Sequence, residues 1–500
     1  MRKKILSLCV IVFVASEIFA FGIFEDLSGN TQNNKTEKQT DLQVHSSDEQ
    51  VNENISKFES VYKFLLENYV DELDADKLYK GAMNGMFDTL DDPYSEYFET
   101  DSSLGVSLQD TTTGEFGGIG VTITKPTKST EEKPAYVEVM SAIPGTPGAK
   151  AGLRSGDYII EVAGTPTDSI TMNDVLAKLR GKIGTPVTIK VLRGELNFEL
   201  TITRAKIKVP TVKYQKLGNG IGYIQLIEFN PNSAPQTIAA YDDLTNQGCK
   251  KFIFDLRNNP GGLLSAANDL ASFFLEKGDI VSTDGRMENS VVCYKVDRNR
   301  RHIPANIPIV TLIDGGSASA SEILAGALKD HKRSVLVGTT TYGKGVVQLI
   351  YDINHNEAFK FTSSRYYTPS GANIHGKGIP PDYEVSYPEV LESETAEFER
   401  LYASKVLDNF AKSKQNITNA EIIAYAKQLQ RNYKIRLVVL ELALKSRVDS
   451  YKNDIDVDPE FDPQLRKALE LLTNNDVNKL AGNTKTVLQL QEENESKNKK

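Results

Sequence analysis

The sequence predicts a multidomain α/β protein, and two patterns along the chain support that fold class. From Gly220 onward, apolar segments of strand length alternate with amphipathic stretches of helical length, as expected for an α/β core. Residues 105–195 have short β-type runs separated by glycine-rich turns, which indicates a further compact domain. At 500 residues, the chain has room for about three or four domains.

The first residues have the form of an export signal. Residues 1–4 are basic, and the apolar run 5–15 follows them, as is typical of a secretory signal peptide. Apolar character resumes over residues 18–24, so the segment is either a cleaved signal or an uncleaved membrane anchor. Both alternatives predict an exported protein, either periplasmic or on the outer face of the cytoplasmic membrane.

Composition and periodicity divide the rest of the chain. Amphipathic spacing predicts two helices before residue 104, whereas polar stretches without an apolar period predict a linker and a disordered tail. The complete division is a signal or anchor (1–24), a polar linker (25–50), an N-terminal helical segment (51–104), the β-rich domain (105–195), the α/β core (205–388), a C-terminal helical region (389–482) and the tail (483–500).

The segment Gly-Gly-Ser-Ala-Ser-Ala-Ser-Glu, residues 315–322, lies between a predicted strand and a predicted helix. Such a turn presents a hydroxyl beside the unpaired first N–H groups of the helix, which can stabilise the oxyanion of an acyl-transfer intermediate. The N–H of Ala320 is one candidate donor. The same residues also match an S-x-x-E capping box running from Ser319 to Glu322, which needs no catalysis.

A second strand-to-helix turn, residues 254–262, is glycine-rich at its end, where a substrate backbone could approach closely. Pro260 has no amide hydrogen, so a second oxyanion donor would come from Gly261 or Gly262, and we favour Gly261. The alternative is a loop that simply requires positive φ.

Lys344 is the best candidate for a general base, because glycines flank it and an apolar strand follows. A lysine base must be neutral, so burial has to lower its pKa from about 10.4 to roughly 7 or 8. On a strand, the side chains of residues 344, 346 and 348 share a face, so Gln348 could hydrogen-bond and orient the amine of Lys344. A solvated strand residue is the alternative for Gln348.

Three other kinds of site are disfavoured. Residues 338–344 read G-x-x-x-x-G-K, but Gly345 replaces the Ser or Thr of a phosphate-binding loop, and a strand follows instead of a helix. The net charge of −9 provides no basic footprint for nucleic acid. No spaced cluster of His, Cys and carboxylates suggests a metal, so we expect neither a metal nor a cofactor.

Residues Gly117, Gly118, Ile119 and Gly120 precede a predicted strand, in a pattern that suits a loop whose amides bind a carboxylate. The pattern resembles a PDZ domain, where an extended peptide pairs with a sheet edge and its C-terminal carboxylate binds the loop. These four residues are therefore candidates for substrate binding. A glycine-rich turn is the alternative.

In this order, the motifs resemble the carboxyl-terminal processing peptidases, the tail-specific family of PDZ-containing Ser-Lys serine proteases. The resemblance covers about residues 55–385 and rests on residues 255–259, 317–322, 343–348, 367–371 and 376–378. In the family pattern the lysine follows the nucleophile by 25 positions, as Lys344 follows Ser319, which selects Ser319 over the neighbouring serines. Many relatives have glycine where this chain has Pro260.

The resemblance implies a crotonase- or Clp-protease-like core with an inserted PDZ domain. We therefore expect an exported endopeptidase in which Ser319 is the nucleophile, Lys344 is the base and Gln348 assists, with Ala320 and Gly261 forming the oxyanion hole. Its partners would be protein substrates bound through their C-terminal tails, and the region after residue 389 would support a homodimer. The rival function is a catalytically silent PDZ adaptor.

Overall fold

The structure is a computed structural model. It describes residues 23–24, 48–99, 115–125, 135–142, 146–153, 157–170, 172–193, 196–208, 211–287, 290–354, 356–414, 416–449 and 457–498. The predicted signal or anchor (1–24) and linker (25–50) lie mostly outside these residues. Within them, no helix combines the length and the apolar character that a membrane span requires.

The N-terminal segment contains the two predicted amphipathic helices. Its elements are β1 (Ile23–Phe24), α1 (Asp48–Asn68), α2 (Ala75–Asp88) and β2 (Glu96–Glu99). Asp74 caps α2 by accepting hydrogen bonds from the first backbone N–H groups of that helix. The predicted helical segment over 51–104 also contains a strand, β2, that the sequence did not predict. Tyr97 and Phe98 of β2 are buried, and this strand joins a sheet of the core.

Among the described residues, the PDZ-like unit has two antiparallel sheets, one of them formed by β3 and β10 alone, and two short helices. Its elements are β3 (Glu115–Gly118), β4 (Val121–Thr124), β5 (Val137–Ala142), α3 (Pro147–Lys150), β6 (Tyr158–Val162), β7 (Thr165–Pro166), α4 (Met172–Leu179), β8 (Pro186–Arg193), β9 (Leu196–Thr203) and β10 (Ala205–Lys208). The predicted boundary at residue 195 is too early. Strand β10 returns to pair with β3, and β9 pairs with β8 along its whole length.

Strands alternate with helices along the core, as the sequence predicts. The elements are β11 (Val212–Lys216), β12 (Ile221–Leu226), α5 (Ser233–Asn246), β13 (Lys251–Asp255), α6 (Leu264–Phe274), β14 (Asp279–Gly285), β15 (Val292–Lys295), β16 (Ile309–Ile313), α7 (Ala320–Asp330), β17 (Val335–Gly338), β18 (Val346–Asp352), β19 (Glu357–Tyr367) and β20 (Tyr383–Glu384).

Two sheets form this core. The first has the order β11-β12-β13-β16-β17-β20, and its neighbours from β12 to β20 are parallel. The turns after β13 and β16 therefore lie side by side at the carboxyl edge, where parallel sheets usually place their sites. The second sheet has the order β1-β18-β19-β14-β15, with β2 added to β19.

The chain after residue 388 is helical, as predicted. Its helices are α8 (Thr395–Ala403), α9 (Val406–Lys412), α10 (Asn419–Gln430), α11 (Leu437–Asp449), α12 (Pro463–Asn474), α13 (Val477–Gly482) and α14 (Val487–Asn498). Helices α8 to α11 share an apolar core of their own around Leu401, Ile422 and Leu440.

Helices α12 and α13 belong to the α/β core by their packing. Along β13, Phe252 and Phe254 face α5–α7, whereas Ile253 points to the opposite face and packs with Leu465 and Leu472 of α12. This alternation follows from the two-residue period of a strand. The parallel sheet is thus covered by helices on both faces.

The prediction of a disordered tail over residues 483–500 is wrong, because α14 occupies most of that segment. Val487 is fully buried in the main core, and its N–H donates to Asp330 Oδ1 at 2.8 Å. Gln491 Nε2 donates to the carbonyl oxygen of Asn373 at 3.0 Å. A few docking contacts at its start therefore hold a helix whose composition is otherwise polar.

Candidate active site

Ser319 lies in the turn between β16 and α7, where it is fully buried. Its backbone has φ 58° and ψ −116°, a conformation that L-residues with a side chain rarely adopt. Such strain costs about 1–3 kcal/mol and tends to persist at functional sites, where surrounding contacts impose it.

The three serines of this turn differ in their hydrogen bonds. Ser317 Oγ donates to the carbonyl oxygen of Leu256 at 2.8 Å, and Ser321 Oγ donates to the carbonyl oxygen of Asn259 at 2.9 Å. Ser319 Oγ is buried and has no hydrogen-bond partner in the part of the chain that the structure describes. Of the three hydroxyls, Ser319 therefore carries the one that is not committed to holding the turn together.

Glu322 connects this turn to the segment that carries Lys344. Its Oε2 accepts the N–H of Ser319 at 2.9 Å and the N–H of Lys344 at 2.8 Å. Its Oε1 accepts the N–H of Gly343 at 2.7 Å and the hydroxyl of Thr341 at 2.5 Å. One buried carboxylate thus brings the backbones of the two candidate residues within hydrogen-bond distance of a single oxygen.

Only one of the two hydrogen bonds of a capping box is present. Glu322 accepts the N–H of Ser319, whereas the Ser319 hydroxyl accepts no backbone N–H of the helix. Burial raises the pKa of Glu322 to about 7, and its four hydrogen bonds act in the opposite direction. The carboxyl group therefore changes its charge close to neutral pH.

Lys344 is fully buried in the segment just before β18. Burial lowers its pKa to about 7, and the nearby ammonium of Lys360 lowers it further, against the carboxylates of Asp92 and Glu322. A shift of this size corresponds to about 5 kcal/mol of preference for the neutral amine. The lysine therefore meets the electrostatic requirement for a general base at neutral pH.

The glycines beside Lys344 are required by close packing. A Cβ on Gly343 would lie 2.9 Å from the amide nitrogen of Gly378, and one on Gly345 would lie 2.6 Å from that of His375. Strand β18 follows directly, which is incompatible with the strand-to-helix turn of a phosphate-binding loop.

Gln348 is buried, but the reasoning that placed it beside Lys344 on one strand face is wrong. Strand β18 begins at Val346, so Lys344 precedes the strand and the two-residue alternation of β18 does not extend to it. The register shift in the pairing with β19 leaves Ser363 of β19 as the extra residue. The Nε2 of Gln348 donates to the carbonyl oxygen of Tyr94, and Oε1 has no hydrogen-bond partner among the described residues.

Tyr94 also contacts Lys344, whose Nζ lies 4.3 Å from the centroid of the tyrosine ring. This residue belongs to the turn between α2 and β2, far from the core motifs in sequence. The N-terminal segment therefore contributes a wall of the candidate site.

The two candidate oxyanion donors differ in availability. Ala320 is the first residue of α7, where a backbone N–H has no partner within the helix. The N–H of Gly261 donates to Asn259 Oδ1 at 2.9 Å, so it would have to share or leave that bond to bind an oxyanion. A Cβ on Gly261 would lie 2.7 Å from Ser319 Cβ, so its backbone packs directly against the serine.

A buried ionic cluster supports the turn that carries Gly261. Arg257 pairs with Asp255 at 2.6 Å and with Asp462, the capping residue of α12, at 2.8 Å. Asp314 Oδ1 accepts the N–H groups of Asn258 and Gly316, both at 2.9 Å, and so fastens the two strand-to-helix turns together. Burial raises the pKa of Asp314.

Three family profiles match successive parts of the chain. The profile of the activating protease CtpB N-terminal domain matches residues 14–102, that of the PDZ domain matches 138–193, and that of peptidase family S41 matches 220–385.

Two curated relatives extend the match across the domains. The carboxy-terminal-processing protease of Bartonella bacilliformis is 39% identical over 340 residues, covering 67% of this chain and 75% of that protein. The carboxy-terminal processing protease CtpA of Bacillus subtilis is 31% identical over 433 residues, covering 83% and 90%. The chain belongs to peptidase family S41. It is accordingly a serine-type, carboxy-terminal processing protease that carries a PDZ domain.

A solved structure of the photosystem II D1 C-terminal processing protease is similar at 28% identity with a TM-score of 0.39, covering 69% of this chain and 95% of that one. The silent-adaptor alternative finds no support in any of these matches. Among the residues that the structure describes, no group of three or more His, Cys, Asp or Glu side chains could hold a metal ion.

The glycine-rich residues 117–120 of this S41 peptidase span the end of β3 and the connection to β4. Gly117 and Gly118 pair with Lys206 and Ala205 of β10, and the carbonyl oxygen of Gly117 accepts the N–H of Gly181 at 3.0 Å. The start of the loop is therefore part of a small two-stranded sheet.

The second half of the loop packs tightly. Ile119 is buried, and its carbonyl oxygen accepts the N–H of Gly148 at 2.6 Å. Gly120 has φ +74°, and its carbonyl oxygen accepts the hydroxyl of Thr146 at 2.9 Å. These bonds hold the loop in one shape at the entrance to β4.

Sequence reasoning missed the roles of Glu322 and Tyr94. The S-x-x-E spacing predicted Glu322 only as a helix cap, although a glutamate in an otherwise apolar helix also indicates a buried carboxylate with a specific role. Tyr94 gave no signal, because its partner Gln348 is 254 positions away in the chain.

Proposed function

We propose that the chain is an exported endopeptidase in which Ser319 is the nucleophile and Lys344 the general base. The observation that carries the proposal is the buried, uncommitted Ser319 hydroxyl, joined through Glu322 to a buried lysine whose pKa is lowered to about 7. Serine is a weak nucleophile on its own and needs an adjacent base, and a neutral lysine amine can serve as one.

In the proposed reaction, Ser319 Oγ attacks the carbonyl carbon of a substrate peptide bond while Lys344 Nζ accepts the hydroxyl proton. The tetrahedral intermediate collapses as the C–N bond breaks, and Lys344 returns that proton to the leaving amine. Water, activated by the same amine, then hydrolyses the acyl ester and restores the serine. The Ala320 N–H, with Gly261 once it leaves Asn259, would stabilise the oxyanion, and Gln348 would orient the amine.

Trapping of the acyl-enzyme tests the nucleophile directly. The full chain is mixed with an unstructured protein, quenched in acid within one turnover, and digested for mass-spectrometric mapping. We expect an added acyl group on Ser319 and none in Ser319→Ala. Because Ser317 and Ser321 donate to backbone carbonyls in the same turn, acylation of either would contradict the assignment.

We further propose that the PDZ domain binds the C-terminal carboxylate of substrates at residues 117–120. The match of residues 138–193 to the PDZ profile supports tail binding by this domain, and the position of residues 117–120 before β4 supports them as the site. The extended tail would pair with the sheet edge, so that backbone hydrogen bonds provide affinity and side-chain pockets provide preference.

Gly120→Ala is expected to weaken tail binding at least about tenfold, because its Cβ would lie 2.3 Å from Thr146 Cβ and displace the loop. Gly164→Ala is the matched control. It shares nearly the same φ, +76° against +74°, but its Cβ would meet nothing within 4 Å. Fluorescence anisotropy with a peptide carrying a free C-terminus, compared with its amide, measures the difference. Equal losses in both variants would refute a role of the loop.

Export, membrane attachment and dimerisation are proposals from sequence. The basic start and apolar run of residues 1–24 support export by a cleaved signal or by an anchor that tethers the enzyme to the membrane. N-terminal sequencing of the mature protein distinguishes these two outcomes. Sedimentation analysis tests the homodimer that we propose for the region after residue 389.

A further inference from the structure

The dyad proposed above is not engaged in this structure. A general base must hydrogen-bond the proton that it removes, yet Ser319 Oγ has no hydrogen-bond partner among the described residues. The amine of Lys344 lies instead over the ring of Tyr94, with Nζ 4.3 Å from the ring centroid. The buried nucleophile and the buried base are thus present together without the contact that catalysis needs.

Tyr94 also forms a hydrogen bond with Gln348. The carbonyl oxygen of Tyr94 accepts the Nε2 of Gln348, while Gln348 Oε1 has no hydrogen-bond partner among the described residues. A single residue therefore contacts both groups that the proposed mechanism places around the serine, one through its ring and the other through its backbone.

We propose that the turn formed by residues 92–95, the Tyr94 turn, is a latch that holds Lys344 and Gln348 in a resting arrangement until the turn moves. The inference rests on the proposed function of Ser319 and Lys344. Tyr94 acts in it as a positioning residue, because it contacts the base and not the substrate bond.

Polar contacts that can be broken and remade hold the Tyr94 turn in place. The N–H of Tyr94 donates to Asp92 Oδ1 at 3.0 Å, and Ser95 Oγ donates to Asp92 Oδ2 at 2.6 Å. Ser95 Oγ also accepts the N–H of Thr362 of β19 at 3.0 Å. Burial raises the pKa of Tyr94, and the neighbouring hydroxyl of the half-exposed Tyr342 raises it further.

The position of the turn explains how movement would reach it. It joins α2 to β2, so a shift of the N-terminal helices relative to the core sheet displaces Tyr94. Without the ring, the amine loses a contact that favours its protonated form and gains freedom to turn towards Ser319. Both effects release the base for catalysis.

The test compares Tyr94→Leu, Tyr94→Phe and a matched control, Tyr79→Leu, in the full chain with a labelled unstructured protein as substrate. Tyr79 lies on α2 in the same segment, where its ring packs edge-on against Tyr97 and not against Lys344. We expect kcat of Tyr94→Leu to rise about 3- to 30-fold with KM nearly unchanged, whereas Tyr94→Phe and Tyr79→Leu remain near the parent.

A pH profile supplies a second readout. Among the described residues, the charged groups that act on Lys344 are Lys360 of β19, Asp92 of the turn and Glu322 of α7, and all three remain in Tyr94→Leu. Loss of the ring is therefore expected to move the acidic limb of the kcat profile, where kcat falls as Lys344 becomes protonated, to lower pH. A structural effect of the substitution would change the rate without moving that limb.

Several outcomes overturn the latch. If kcat of Tyr94→Leu falls or stays constant in a folded protein while Ser319→Ala is inactive, the dyad stands and the latch is wrong. If Tyr94→Leu is poorly folded, Ser95→Ala replaces it as the test, because Ser95→Ala removes the bonds of the turn to Asp92 and β19. A rise in kcat of Ser95→Ala supports the latch, and an unchanged kcat refutes it. Continued cleavage by Ser319→Ala would instead refute the proposed function itself.

Discussion

Replacing Lys344 with methionine is expected to lower kcat/KM at pH 7 about 10²- to 10⁴-fold, the range that a general base contributes. Methionine fills similar space in the buried site but cannot accept a proton. Because Lys344 and Ser319 are proposed to act as a unit, Ser319→Ala and the double variant should show nearly the same residual rate. Steady-state cleavage of a labelled unstructured protein measures all three.

The chain provides a matched control for this prediction in a second Gly-Lys-Gly sequence. Lys377 is half exposed and forms a surface ion pair with Glu495 at 2.8 Å, so Lys377→Met should leave kcat/KM near that of the parent. If the losses from Ser319→Ala and Lys344→Met multiply in the double variant, the two residues do not act as a dyad.

The kcat/KM of the parent enzyme should depend on pH through the protonation of Lys344. Burial lowers the pKa of Lys344 to about 7, so kcat/KM is expected to rise as pH increases through about 7 and the amine becomes neutral. Glu322 has its pKa raised to about 7 by burial, and the two groups interact. The rise of kcat/KM near pH 7 therefore reports the coupled titration of Lys344 and Glu322, not that of either residue alone.

The sequence predicted the elements of the core well because they depend on local patterns. Apolar runs such as residues 309–313 and the amphipathic stretch after Ser319 are visible without knowledge of the fold. Selection of Ser319 among three serines needed the family spacing, since all three have similar neighbours in sequence. The structure adds a physical distinction, because only the outer two donate to backbone carbonyls of the neighbouring turn.

Long-range contacts account for what the sequence did not predict. The hydrogen bond between Gln348 and Tyr94 depends on how the N-terminal segment packs, which no local pattern encodes. Helix α14 is mostly polar, yet Val487 anchors it in the main core. Propensity and composition describe isolated segments, whereas these features arise only when distant segments meet.

Glu322→Gln is expected to lower kcat about 10- to 100-fold and to destabilise the fold by about 2–4 kcal/mol. The carboxylate accepts four hydrogen bonds, and an amide offers one oxygen while its NH₂ faces N–H or O–H donors. Buried donors therefore lose their acceptor, and the backbones of Ser319 and Lys344 lose their common anchor.

Two further measurements separate this role from a general loss of stability. Thr341→Val removes one of the four bonds, so both its kcat and its unfolding midpoint in urea should lie between those of the parent and Glu322→Gln. The carboxylate of Glu322 also favours the protonated form of Lys344, so in Glu322→Gln the rise of kcat/KM with pH should move to lower pH. Because the second titrating group is gone, that rise should follow a single titration. A limb that keeps its position and shape in Glu322→Gln would show that the carboxyl group does not act on the base.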